Sequence, residues 1–138
     1  MALDVGSKRI GVAVADPSAT FALPVTTLER SNRRADLAAL AELFESYGVR
    51  ELVVGDPLTL AGTRGLAAEQ IDAFVASLGE VFGGTIHRMD ERLTTAQATK
   101  SLIAADVSRR KRRDVVDRMA AALILDSFLA RRRREPLD

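Results

Sequence analysis

The sequence predicts an α/β fold, a mixed sheet covered by helices, on three observations. Near the start, Ile10, Val12 and Val14 alternate with Gly11, Ala13 and Ala15. That period of two belongs to a strand with one bulky and one small face. Later, short apolar runs at 51–55 and 85–89 take turns with segments whose apolar residues recur at helical spacing. The resulting order, β-β-β-α-β-α-β-α-α, puts antiparallel strands first and alternating strands and helices after, with no internal repeat and no long linker.

Each element has its own justification. Met1, Ala2 and Leu3 form a short apolar strand that ends on Asp4. The second strand covers 9–15, and its small face would let a neighbouring element approach closely. Asp16 to Thr20, with Pro17 and Ser18, reads as a hairpin connection. A third strand follows over 23–28, and Pro24 pushes it toward an edge or a bulge. Leu37, Leu40, Phe44 and Tyr47 then follow helical spacing, with Ser31 or Asn32 to cap the start and Gly48 to end it. The strand at 51–55 stops at Asp56-Pro57. Ile71, Phe74, Val75, Leu78 and Phe82 mark the next helix, ended by Gly83-Gly84. The strand at 85–89 closes on Asp90-Glu91. Thr94 and Gln97 fit a capping box that opens a helix reaching about residue 105. A basic loop comes next, then a final helix from about Asp114 to residue 133.

Composition bounds the function. One domain is the expectation for 138 residues. The chain has no cysteine, so disulfides and thiolate metal sites are excluded, which suits a reducing cytoplasm. Its longest uninterrupted apolar run, 119–125, falls far short of the roughly 20 residues that span a membrane. No signal-peptide pattern opens the chain. Net charge is only +1, but the stretch from Ala105 to Asp138 holds ten Lys/Arg against six Asp/Glu. Two runs carry that excess: Arg109, Arg110, Lys111, Arg112 and Arg113, and then Arg131 to Arg134. Such clusters attract polyanions, with a solvated loop and a frayed tail as the plainer reading.

The acids fall in a pattern. Asp4 ends the first strand and Asp90-Glu91 the last. Asp117 lies in the final helix with apolar residues at i+3, i+4 and i+7, so it points toward the core side. Asp126 lies about half a turn around that helix and faces solvent. If the two strands neighbour each other and the helix packs across their ends, the carboxylates converge. Their repulsion costs stability, and a divalent cation would relieve it; without such an ion, neutralising one acid should stabilise the chain. Oxygen-only ligands suit Mg²⁺ or Mn²⁺. With His87 as the single histidine, zinc is improbable chemistry. Plainer roles exist for each acid. Asp4 before Gly6 fits a turn. Asp90-Glu91 fits the approach to a helix N-terminus. Asp114 fits an N-cap with Asp117 at N3. His87 reads as an ordinary packed or exposed histidine.

The segments ALDVGSKRIGVAVAD, VVGDPLTLAGTRG, MDERLTTAQA and VVDRMAAALIL, in this order, resemble the YqgF/RuvX family over nearly the whole chain, about residues 1 to 128. These are small bacterial proteins with an RNase H-like fold, similar to Holliday junction resolvases. The resemblance implies a mixed five-stranded sheet, three antiparallel strands then two parallel, in one nuclease domain over 1–138. It implies metal-binding, catalytic acids at Asp4, Glu91 and Asp117. Adjacent strand residues point to opposite faces, so only one of Asp90 and Glu91 is expected at the site. It also implies that Lys8 and Arg92 bind nucleic acid, Lys8 near the substrate backbone and Arg92 by meeting a phosphate, unless Arg92 pairs with an acid instead. Three features depart from the family. Asp56 stands where a hydrophobic residue is usual, and would add a carboxylate near the sheet end. Thr59 stands where asparagine is common. Only three residues precede Asp4, which suggests a missing upstream segment.

The expected activity is therefore a Mg²⁺- or Mn²⁺-dependent endonuclease on structured nucleic acid. Its substrate is either the 5′ end of precursor 16S rRNA or a four-way DNA junction, and its state a monomer or homodimer. The basic segment 109–113 precedes the helix of Asp117, so it would hold phosphates beside the acids. With five Phe, one Tyr and no Trp, recognition by backbone shape and charge fits better than stacking. Two alternatives stand beside it. One is a non-catalytic nucleic-acid-binding module with structural acids. The other is a phosphate-binding domain like those of actin-like ATPases, whose first phosphate loop the opening segment also resembles.

Overall fold

The computed structural model describes residues 1–56, 65–90 and 109–135, with the backbone alone from 109 to 114. Its elements are β1 (Ala2–Val5), β2 (Arg9–Ala15), β3 (Ala22–Glu29), α1 (Arg33–Ser46), β4 (Glu51–Asp56), α2 (Leu66–Val81), β5 (Thr85–Asp90) and α3 (Arg109–Arg134). The helix expected over 94–105, with Thr94 and Gln97, lies outside the described residues.

The strands form one sheet in the order β3-β2-β1-β4-β5. β1 pairs antiparallel with β2, and β2 with β3, while β1–β4 and β4–β5 are parallel. This is the expected mixed sheet. β3 is an edge, and its register with β2 slips between Val12 and Ala13, opposite Pro24 and Thr26. Proline lacks the ladder N–H, and an edge with a bulge tolerates that loss.

Alternation along the strands splits the core in two. Leu3, Ile10, Val12, Leu52 and Val54 face α1 and α2, where they pack on Leu40, Phe44, Ile71, Phe74 and Leu78. Ala2, Ala13, Val53 and Met89 face α3 and meet Ala120, Ala121, Ile124 and Leu125. On the α3 side Ala2, Gly11 and Ala13 of the sheet and Ala120 and Ala121 of the helix are small, so helix and sheet lie close there. Gly11 marks the closest approach: a Cβ there would run into the main-chain oxygen of Asp117.

Local signals fix the helix ends. Asn32, rather than Ser31, caps α1, its side chain accepting from Ala35 N at 2.9 Å. Gly48 takes a φ of 59°, Val49 N donates to Phe44 O at 2.9 Å and Gly48 N to Glu45 O at 3.2 Å. That pair of bonds is the Schellman arrangement, which favours glycine at this position. Phe82, expected inside the second helix, is instead its extended C-cap and lies buried against Phe44 with ring centres 5.0 Å apart.

The final helix departs from expectation. Residues 109–113 are not a loop, and Asp114 is not an N-cap: α3 begins at Arg109 and runs 26 residues. Arginine and lysine are good helix formers, and no glycine or proline interrupts the run. The four arginines at its end are helical too. None of the helices among the described residues is long and apolar enough to cross a membrane.

Candidate metal and nucleic-acid site

β1, β4 and β5 run parallel, so their carboxyl ends share one end of the sheet, where open α/β sheets commonly place sites. Asp4 lies there, buried at the penultimate position of β1. It shares the parity of Ala2, so it faces α3. Its partner in the ladder is Gly11, the residue on which the Asp117 backbone rests. Asp4 and Asp117 are thus brought to one corner by two backbones that a side chain at position 11 would separate.

Arg9 completes this corner. It is two residues from Gly11 on β2, on the same face, and its Nε donates to Asp117 Oδ2 at 2.8 Å. Both side chains keep some solvent contact, 21% for Arg9 and 18% for Asp117. The sequence reading missed Arg9; its place in the small-residue face, in register with Gly11 and Ala13, was the available signal.

The turn after β1 is closed within the hairpin and braced from β3's end by Arg30. Gly6 N donates to Arg9 O at 2.8 Å, and Arg30 N to Lys8 O at 2.9 Å. The Arg30 guanidinium reaches Gly6 O at 2.8 Å and Asp36 at 3.2 Å, and lies 4.9 Å over the Phe74 ring. Asp36 is buried, and it also accepts from Ser31 N at 3.0 Å. Lys8 is exposed at the tip of this turn.

Other acids go elsewhere. Asp56 and Asp90 are register partners in β4 and β5. They share the parity of Leu52, Val54 and Arg88, so they lie on the α2 face, opposite Asp4. Arg88 bonds Asp56 at 3.1 Å and Asp72 of α2 at 2.8 Å. Asp56 therefore does not add a carboxylate beside Asp4; it is part of an ion-pair network on the other face. Glu91 and Arg92 lie outside the described residues. The backbone of 109–113 belongs to the first turns of α3, ahead of Asp117. Asp126 is exposed, and accepts a bond from Ala22 N at 2.8 Å, tying α3 to the edge strand.

A second cluster lies far from this corner. Arg132 donates two bonds of 2.9 Å to Glu51, stands 4.7 Å over the Phe128 ring, and shares Glu51 with His87 at 3.1 Å. Those bonds from Arg132, then His87, hold the Glu51 carboxylate down at about 2. Arg133 donates to Thr20 O at 3.3 Å. So the last arginines are not a frayed tail, and His87 is a packed histidine remote from Asp4. Along α3, Asp117 and Arg132 are about 22 Å apart at 1.5 Å per residue. A cleft of about 270 Å³ borders this cluster, and one of about 450 Å³ borders Arg30 and Asn32; neither is lined by Asp4 or Asp117.

Among the described residues, no three histidine, aspartate or glutamate side chains form a metal-binding group. The residues present nonetheless fit a hard divalent ion. Two carboxylates sit at one sheet end, one of them already holding a cationic group, the Arg9 guanidinium, in a position an ion could take. Oxygen donors are what Mg²⁺ and Mn²⁺ prefer.

Comparison with known proteins agrees with this architecture. T. thermophilus RuvC, solved in complex with a Holliday junction substrate, superposes with a TM-score of 0.59 over 98% of this chain and 96% of that one, at 12% identity. The likeness is one of fold, RNase H-like. A protein of Moorella thermoacetica named "Putative pre-16S rRNA nuclease" is 50% identical over 131 residues, 95% of this chain and 94% of its own length. One of Koribacter versatilis with the same name is 44% identical over 100% of this chain and 92% of its own. The family model described as "RuvX: Holliday junction resolvase" matches residues 1–131, and the chain belongs to that family.

Proposed function

We propose that this chain is a divalent-metal-dependent endonuclease on structured nucleic acid, working as one nuclease unit over 1–138. Asp4, Glu91 and Asp117 would hold Mg²⁺ or Mn²⁺. When bound, the ion supplies a polarised water and charge stabilisation for the leaving oxygen of a phosphodiester. The observation that carries the reading is that Asp4 pairs with Gly11 in the sheet while the main chain of Asp117 lies against the same Gly11. The assignment of Glu91 and Arg92 rests on their motif.

The chain's own residues do the rest. Asp4 is held in β1 by its pairing with Gly11 and is buried, so its place at the sheet end is set before any ligand arrives. Lys8, at the tip of the turn, and Arg109, Arg110, Lys111, Arg112 and Arg113, at the start of α3, contact backbone phosphates. Such contacts position a substrate without reading bases, so affinity should fall steeply with salt. Phe44, Phe74 and Phe82 are buried, which leaves few rings for stacking.

The preferred substrate is the 5′ end of precursor 16S rRNA, on the strength of the relatives' shared name. Four-way junction cleavage is the second reading, favoured by the family's description; it would require a homodimer to cut symmetrically. Both substrates offered to purified protein with Mn²⁺ at fixed salt separate the two. Asp4→Asn should lower cleavage more than about 100-fold while substrate affinity stays. Unchanged cleavage in that variant removes Asp4 from the metal site; wild-type binding with no cleavage on either substrate points to a non-catalytic module.

A further inference from the structure

We infer that Arg9 is the resident counter-charge of Asp117, and that a divalent cation must displace it to bind. This rests on the metal reading above and adds a residue to it. The inference stands on geometry. Arg9 and Asp117 belong to different elements, β2 and α3, and join at 2.8 Å through Nε, on the face that carries Asp4. A guanidinium cannot lose its charge at any ordinary pH, so it neutralises Asp117 whenever the two touch. It occupies the same carboxylate oxygen that an incoming ion would seek. At 21% exposure the side chain has solvent to swing into, and the released guanidinium stays at the sheet end where substrate phosphates arrive. Arg9 is thus a positioning residue: it keeps Asp117 aimed at the corner before metal arrives and sets the metal affinity by competing for it.

The test reads Mn²⁺ binding by calorimetry and by the paramagnetic signal of the free ion, in the full chain without nucleic acid. Arg9→Gln, which removes charge and keeps polarity, should lower the Mn²⁺ Kd about five-fold, the scale of a partly exposed ion pair. Arg9→Lys, which restores a cation, should return the Kd toward wild type. Asp117→Asn should weaken binding, and adding Arg9→Gln to it should change the Kd no further. In the wild type, titration with diamagnetic Mg²⁺ should move the Arg9 Nε–H resonance in step with binding; this readout needs no variant to fold. A Kd in Arg9→Gln that is unchanged or weaker, or an Nε–H resonance that stays put at saturating Mg²⁺, overturns the inference and leaves the metal reading intact. A folded wild type that takes up no Mn²⁺ overturns the metal reading, and the inference with it.

Discussion

Gly11 is paired with Asp4 in the sheet and covered by the backbone of Asp117. A methyl group there has nowhere to go, because the atoms it would meet, in Asp117 and Arg118, are all main chain. Gly11→Ala should therefore force α3 off the sheet at this point and cost about 3 kcal/mol, measured by urea unfolding. A variant as stable as wild type would mean that the helix seats differently. Asp117 invites a second substitution. Converging acids alone suggest that Asp117→Asn stabilises the metal-free chain. The Arg9 bond reverses that expectation, because the asparagine would leave a partly buried guanidinium without its anion. The metal-free melting temperature should fall, and the rise on adding Mn²⁺ should shrink. A melt showing a higher metal-free midpoint for the variant would count against the ion pair. At this scale the sequence revealed Asp4 and Asp117, because an acid ending an apolar run or interrupting an apolar helix face is conspicuous. It hid Arg9, because a cation at the start of a strand reads as solvent-facing until its partner is known.

Among the elements, α3 differs most from its sequence expectation. A dense run of like charge at 109–113 reads as a solvated loop, yet the backbone there is helical from Arg109. Propensity won over repulsion, since arginine and lysine favour helix and the helix is anchored downstream on the sheet. The far end is anchored as well, through Arg132 and Glu51. This tie has a pH signature. Glu51 is held at about 2 by Arg132 first and His87 second, below its unfolded value. Its contribution is complete above the unfolded carboxylate range and disappears as pH falls through about 2. The stability difference between wild type and Glu51→Gln should thus be present at pH 5 and close progressively toward pH 2, as read by thermal melts across that range. Both partners are nearly half exposed, so the difference should be well under 1 kcal/mol and smaller still at high salt. A gap that widens on acidification would contradict the assignment.

Across the whole molecule, the sheet has two unlike ends. The acids and the turn carrying Lys8 share one; the packed arginines, Glu51 and His87 share the other, and α3 links them. The sequence by itself determined the order of the elements among the described residues, the mixed sheet and the family, because apolar periodicity, turn residues and caps act locally and four motifs span the chain. It also marked Asp4 and Asp117. Only the tertiary structure decided that Asp56 and Asp90 face away from Asp4, that Asp117 comes with Arg9, and that Gly11 is the seat of the helix. Those outcomes depend on strand parity, sheet order and the depth at which a helix packs. Parity is written locally, but which helix each face meets, the sheet order and the packing depth are set by burial between segments distant along the chain.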